Sequence, residues 1–112
     1  MSVESSIIAN VLVIKISSEL LSEIDNNKFE EFLLKNLANG ITEVVIDITG
    51  VNYFNSSHIG LIVRLFSAAQ SKNATLKIGG SGERISSLLK SVKLDSIISV
   101  HSTVAEAIDS FQ

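Results

Sequence analysis

The apolar pattern of this sequence predicts an α/β fold, a mixed and mostly parallel sheet with helices packed on it, in the order ββαβαβαβα. Three observations predict it. Short runs rich in Ile, Val and Leu alternate with longer stretches in which apolar residues recur every three or four positions. Strands that alternate with helices imply parallel neighbours joined by right-handed crossovers. The chain has 112 residues, which suits one core and not two, so a single domain is expected over residues 1–112.

Each element has its own signal. Residues 11–16, Val-Leu-Val-Ile-Lys-Ile, are dense in β-branched side chains and read as a strand. A shorter run, residues 3–8, precedes it across Ala9-Asn10. A hairpin between the two is expected, although the turn pair is not Asn-Gly. Polar residues from Ser22 to Lys28 lead into Phe29, Phe32, Leu33 and Leu37, whose spacing puts them on one helical face. Asn39-Gly40 ends that helix as a left-handed cap does. Residues 44–48 form a continuous apolar run around Asp47, the pattern of a strand buried on both faces, and Gly50 and Asn52 break it. Ile59, Ile62, Val63 and Phe66 make a second helical stripe, with Leu61, Leu65 and Ala68 on its flank. Residues 74–78 are a third short strand, closed by Gly79-Gly80-Ser81-Gly82. Ile85, Leu88, Leu89 and Val92 make a third helical stripe, and residues 97–100 a further strand. Thr103 caps a last helix, with Glu106 three residues on as a capping box and Val104, Ile108 and Phe111 as its inner face.

Composition narrows the functional classes. Nine Lys and Arg stand against twelve Asp and Glu, a formal net charge of -3, so the basic excess of a general nucleic-acid binder is missing. The chain has no Cys, which removes disulfides, thiolate metal ligands and a cysteine nucleophile. No cationic segment followed by a long apolar run opens the sequence, and no apolar stretch approaches the roughly 20 residues needed to span a bilayer. The chain therefore reads as cytoplasmic, with no membrane insertion.

Four groups of residues are candidates for a site. Tyr53-Phe54-Asn55-Ser56-Ser57-His58-Ile59-Gly60 lies between a buried strand and a buried helix. Helix capping by Asn55 or Ser56 is sufficient to explain such residues. The alternative is a modification site, because a helix N-terminus tolerates a phosphate on Ser56 or Ser57. Ser56 and His58 do not suit a nucleophile–base pair: their side chains diverge at that spacing, and Phe54 stands where a nucleophile elbow needs Gly. The second group, Gly79-Gly80-Ser81-Gly82-Glu83-Arg84, has no Lys in the Walker position and fits a tight turn better than a phosphate cradle. The third is the acidic set Asp25, Glu30 and Glu31, which reads as a solvated helix face. The fourth is Asp47, a carboxylate in a buried strand that must find hydrogen bonds. His58 and His101 alone are too few for a metal site, and neither a metal nor any other cofactor is expected.

The run Val45-Ile46-Asp47-Ile48, then Val51 and Tyr53-Phe54, then Asn55-Ser56-Ser57-His58-Ile59-Gly60-Leu61 resembles the signature of STAS domains. It looks most like that of the bacterial anti-sigma-factor antagonists. The resemblance runs from about Val3 to the C-terminus and includes Ser18-Glu19-Leu20 after the second strand, and Leu88, Leu94 and Ile98 in the tail. It implies a STAS-like fold and a non-enzymatic regulator of transcription. It also implies a regulatory phosphoserine at Ser56, with Ser57 the second choice. The implied partners are a GHKL-type serine kinase that is also the anti-sigma factor, and a serine phosphatase that reverses the mark. Leu20, Leu21, Asn55, Ser56, Ser57, His58 and Ile59 would form the partner-binding surface. Three positions depart from the family pattern: Asn55 stands for Asp, His58 for Gly, and Leu21 for Asp. A constitutive STAS scaffold, in a lipid-transport ABC complex or a stressosome-like assembly, is the alternative.

Overall fold

A computed structural model describes residues 3–19 and 25–112. The chain begins with a hairpin of β1 (Glu4–Ile8) and β2 (Val11–Ser17), in antiparallel register with Ile8 opposite Val11. Ala9 and Asn10 both have positive φ, 51° and 66°, the backbone of the two-residue turn whose twist matches that of the paired strands. There follow α1 (Asn26–Ala38), β3 (Glu43–Gly50), α2 (Ser56–Ser71), β4 (Thr75–Gly79), α3 (Gly82–Ser91), a 3-10 turn (Leu94–Ser96), β5 (Val100–His101) and α4 (Val104–Asp109). The five strands lie in the order β1-β2-β3-β4-β5, and every pair after the hairpin is parallel. The expected mixed, mostly parallel sheet is therefore present.

Alternation along the strands divides the core in two. Leu12, Ile14 and Ile16 of β2 and Val44, Ile46 and Ile48 of β3 pack with Phe29, Leu33, Leu61, Leu65, Ile85 and Leu89, which come from α1, α2 and α3. Val11, Val13 and Val45 point to the other face, where Ala107 and Ile108 of α4 cover them. β3 is thus buried from both sides, as its unbroken apolar run requires. Helix α1 ends with Ile41 N–H on the Asn36 carbonyl (3.2 Å) and Gly40 N–H on the Leu37 carbonyl (3.1 Å), with Gly40 at φ 105°. This is the Schellman closure that the Asn39-Gly40 pair signalled.

Three expectations need correction. The buried stripe of α2 is Leu61, Ile62, Leu65 and Ala69, while Ile59, Val63 and Phe66 are half-buried at its edge. The apolar arc of this helix is wider than one stripe, so periodicity alone does not locate its centre. In α3 only Ile85 and Leu89 are buried, and Leu88 and Val92 are exposed. In α4 the expected inner face of Val104, Ile108 and Phe111 does pack on the sheet, with Ala107 buried beside Ile108. The strand expected over residues 97–100 is confined to Val100–His101. The N–H groups of Ile97 and Ile98 are both bound to the Leu94 carbonyl, at 3.1 and 2.9 Å, and cannot join the ladder.

Candidate functional site

All the parallel strands end on one side of the sheet, so the turns that follow them share that side. The exits of β2 and β3 touch there. A Cβ on Gly50 would lie 2.9 Å from the Ser17 Cβ, so only glycine allows the approach. Ser18 Oγ accepts the Asn52 N–H at 3.0 Å and ties the two exits together. Leu20 and Leu21, which the family resemblance assigns to the partner surface, lie outside the described residues.

The segment after β3 enters α2 through a closed capping box. Asn55 is the N-cap, with extended backbone, and its Oδ1 accepts the His58 N–H at 3.0 Å. His58 Nδ1 lies 3.3 Å from the Asn55 N–H and completes the reciprocal bond. An imidazole thus does what Glu or Gln does in the usual box. The ring also sits between two aromatics, 5.5 Å from the Tyr53 ring and edge-on to Phe54 at 5.7 Å. Tyr53 is 57% exposed and Phe54 is half-buried against the main core, so this cluster caps the core where the chain turns into the helix.

Ser56 and Ser57 occupy the first two positions of α2, and both are exposed. Neither hydroxyl is hydrogen-bonded to another described residue. The capping that could have explained the serine at position 56 is done by Asn55 and His58. Ser56 and His58 do not face one another: the imidazole Nδ1 is directed at Asn55 N–H and the Tyr53 carbonyl. Ile59 is half-buried on the following turn.

The other candidates resolve into local structure. Gly80 has φ 86° and Gly82 φ 60°, as a tight strand-to-helix turn demands. The N–H groups of Gly80, Ser81 and Gly82 bind the carbonyls of His101 and Ser102, so these three donors are not free to cradle a phosphate. Arg84 is exposed. Asp47 lies on the α4 face of β3 and is half-buried, and its Oδ1 accepts both the N–H of Thr49 (2.9 Å) and its hydroxyl (2.6 Å). Asp25 caps α1 by accepting Asn27 N–H at 2.7 Å. Glu30 binds Arg64 of α2 at 2.7 Å, and the same guanidinium reaches Asn27. Glu31 is exposed on α1. His101 is held at Ser99, with Nε2 2.9 Å from the hydroxyl. Among the described residues no group of three or more His, Asp or Glu is placed to hold a metal ion, and no helix is long and apolar enough to cross a membrane.

The sequence alone did not reveal the role of His58. The spacing Asn55-x-x-His58 was the available signal, hidden because imidazole is not a customary member of the box. The Ser18–Asn52 bond had no signal, since 34 positions separate the partners.

Comparison with known proteins bears on this geometry. A Thermotoga neapolitana protein named as a homologue of an anti-sigma factor antagonist is 26% identical over 84 residues, 75% of this chain and 71% of that protein. A solved chain of the stressosome, titled a signal integration and transduction hub, superposes with TM-score 0.82 at 18% identity, over 96% of this chain and 94% of that one. RsbS of Moorella thermoacetica, solved as a serine-to-glutamate variant, gives TM-score 0.80 at 17% identity, over 94% and 92% of the two chains. These two likenesses establish the fold. The model of the STAS domain matches residues 2–107, nearly the whole length, and the chain belongs to the STAS domain family.

Proposed function

We propose that this protein is a cytoplasmic anti-sigma-factor antagonist, a single STAS domain over residues 1–112 that works as a phosphorylation switch. Unmodified, it docks on a GHKL-type anti-sigma factor that is also a serine kinase, and so frees the sigma factor. Phosphorylation of Ser56 releases it, and a serine phosphatase restores it. The observation that carries this reading is the exposed Ser56 hydroxyl at the start of α2, on a helix whose cap does not use it. A phosphate there adds about -1.5 to -2 charges at neutral pH without removing a structural hydrogen bond. The docking surface would comprise Asn55, Ser56, Ser57, His58 and Ile59, joined by Leu20 and Leu21.

The switch is electrostatic. A phosphate forced unpaired into a desolvated contact costs several kcal/mol, and about 3 kcal/mol lowers affinity more than a hundredfold. The test is a pair of variants offered to the cognate anti-sigma kinase. Ser56→Asp is expected to lose capture and Ser56→Ala to keep it whether or not ATP is present. Equal binding by both overturns the switch. Intact mass after incubation with kinase and ATP, with Ser57→Ala beside the parent, assigns the modified serine.

The stressosome neighbour favours a second reading, a constitutive scaffold in an assembly of that kind. Recovery of the chain in a large complex of STAS proteins, unchanged by Ser56→Asp, would support it. Co-purification with a membrane ATPase would point instead to a lipid-transport complex.

A further inference from the structure

One atom of the turn is offered two partners of opposite kind. His58 Nδ1 lies 3.3 Å from the Asn55 N–H, which can only donate, and 3.2 Å from the Tyr53 carbonyl oxygen, which can only accept. A ring nitrogen carries either a lone pair or a proton, so it serves one of them at a time. With its proton on Nε2 the neutral ring accepts from Asn55 and closes the capping box. Once protonated the ring has Nδ1–H, donates to the Tyr53 carbonyl, and leaves the Asn55 N–H without its acceptor.

We infer that His58 is a pH-dependent positioning residue, holding the Asn55–Ser57 turn in one hydrogen-bonded state when neutral and in another when charged. Histidine is the side chain whose charge ordinarily changes between about pH 5 and 8. The groups facing the ring are the Tyr53 and Phe54 rings, the Tyr53 carbonyl and the Asn55 N–H. Among these described groups the Tyr53 phenol is the only titratable one. Among the described residues no carboxylate lies within 4.0 Å of a ring nitrogen to hold the charged form. Arg64, the cation further along the same helix, is bound to Glu30. The charged ring also stands in the first turn of α2, whose free N–H groups disfavour a cation. The consequence for docking rests on the function proposed above, because the turn that changes is the one assigned to the partner. Capture would weaken on acidification.

The experiment uses the whole chain, labelled with 15N, and a His58→Gln variant whose amide oxygen keeps the acceptor at all pH values. Ring nitrogen shifts give the tautomer, and the Asn55 amide reports the box. At neutral pH the His58 proton is expected on Nε2. On acidification the Asn55 amide should shift in step with the His58 ring. Its exchange, corrected for intrinsic rate, should rise about fivefold, the protection one net hydrogen bond confers. His58→Gln should stay flat, and His101 serves as the internal control. A neutral ring with its proton on Nδ1 would overturn the inference. So would an Asn55 amide that follows His101, or one that responds equally in the variant. Because the isolated chain is read, failure here leaves the phosphorylation switch standing, and a chain never phosphorylated at Ser56 leaves the positioning role standing.

Discussion

Two strand-to-helix turns sit at the same end of the sheet and are built in opposite ways. The turn into α2 is closed by side chains: Asn55 and His58 satisfy one another's backbone, and Ser56 and Ser57 are left exposed. The turn into α3 is closed by backbone. Gly80 has positive φ, and the N–H groups of Gly80, Ser81 and Gly82 are bound to β5 and the residue after it. No side chain caps α3, and Ser81 is 5% exposed, its hydroxyl shared between the carbonyls of Gly82 and His101. Both turns carry serine at a helix start, yet only one presents a hydroxyl that can be modified without disturbing its neighbours. Residue type and position along a helix are therefore not enough to identify a phosphoacceptor; what matters is whether the fold already uses the oxygen.

The same substitution in the two turns breaks or upholds this contrast most sharply. Ser81→Asp places a carboxylate in a buried position, against the Gly82 and His101 carbonyls to which the serine hydroxyl donates. A buried charge with no partner costs about 3 kcal/mol or more, so the urea midpoint should fall steeply. A midpoint close to that of the parent would mean that the α3 turn opens readily and is as adaptable as the other.

Removing the cap is expected to have a smaller effect. Asn55→Ala deletes the acceptor of the His58 N–H and should cost about 1 kcal/mol of unfolding free energy, while Asn55→Asp retains the bond. If Asn55→Ala costs nothing, the serines after it are capping the helix themselves, and the Ser56 hydroxyl is not spare.

The sequence made much of this legible, and the reasons differ by element. The order of strands and helices followed from β-branched runs and from turn residues that do one job each, as at Asn39-Gly40. The turn of residues 53–60 was legible as a helix start, and its likeness to the STAS signature pointed to Ser56. Three features were not. The beginning of the last predicted strand was lost because Ile97 and Ile98 have strand-like side chains but donate to Leu94, a choice made by the 3-10 turn and not by their own preference. Leu88 and Val92 matched the period of the buried stripe, but α3 meets the sheet along a narrower line through Ile85 and Leu89. The acidic group Asp25, Glu30 and Glu31 gave no hint that its members act separately, one as a cap, one in an ion pair and one exposed.

The smallest expected effect is the one that separates folding from docking. Ser56→Asp adds a negative charge to the first turn of α2, beside N–H groups that have no partner within the helix. The dipole of the helix favours a charge of that sign there by about 0.3 to 1 kcal/mol at low ionic strength. The variant should therefore unfold at a slightly higher urea concentration than the parent, and the gain should shrink as salt is added. Ser56→Ala, which removes no bond, should stay within about 0.5 kcal/mol of the parent. Under the proposed switch, Ser56→Asp is thus a chain that folds better and binds worse. A loss of capture accompanied by a loss of stability would carry no such meaning, because a turn distorted by aspartate would fail to dock for that reason alone. Opposite signs in the two measurements would assign the loss to the interface.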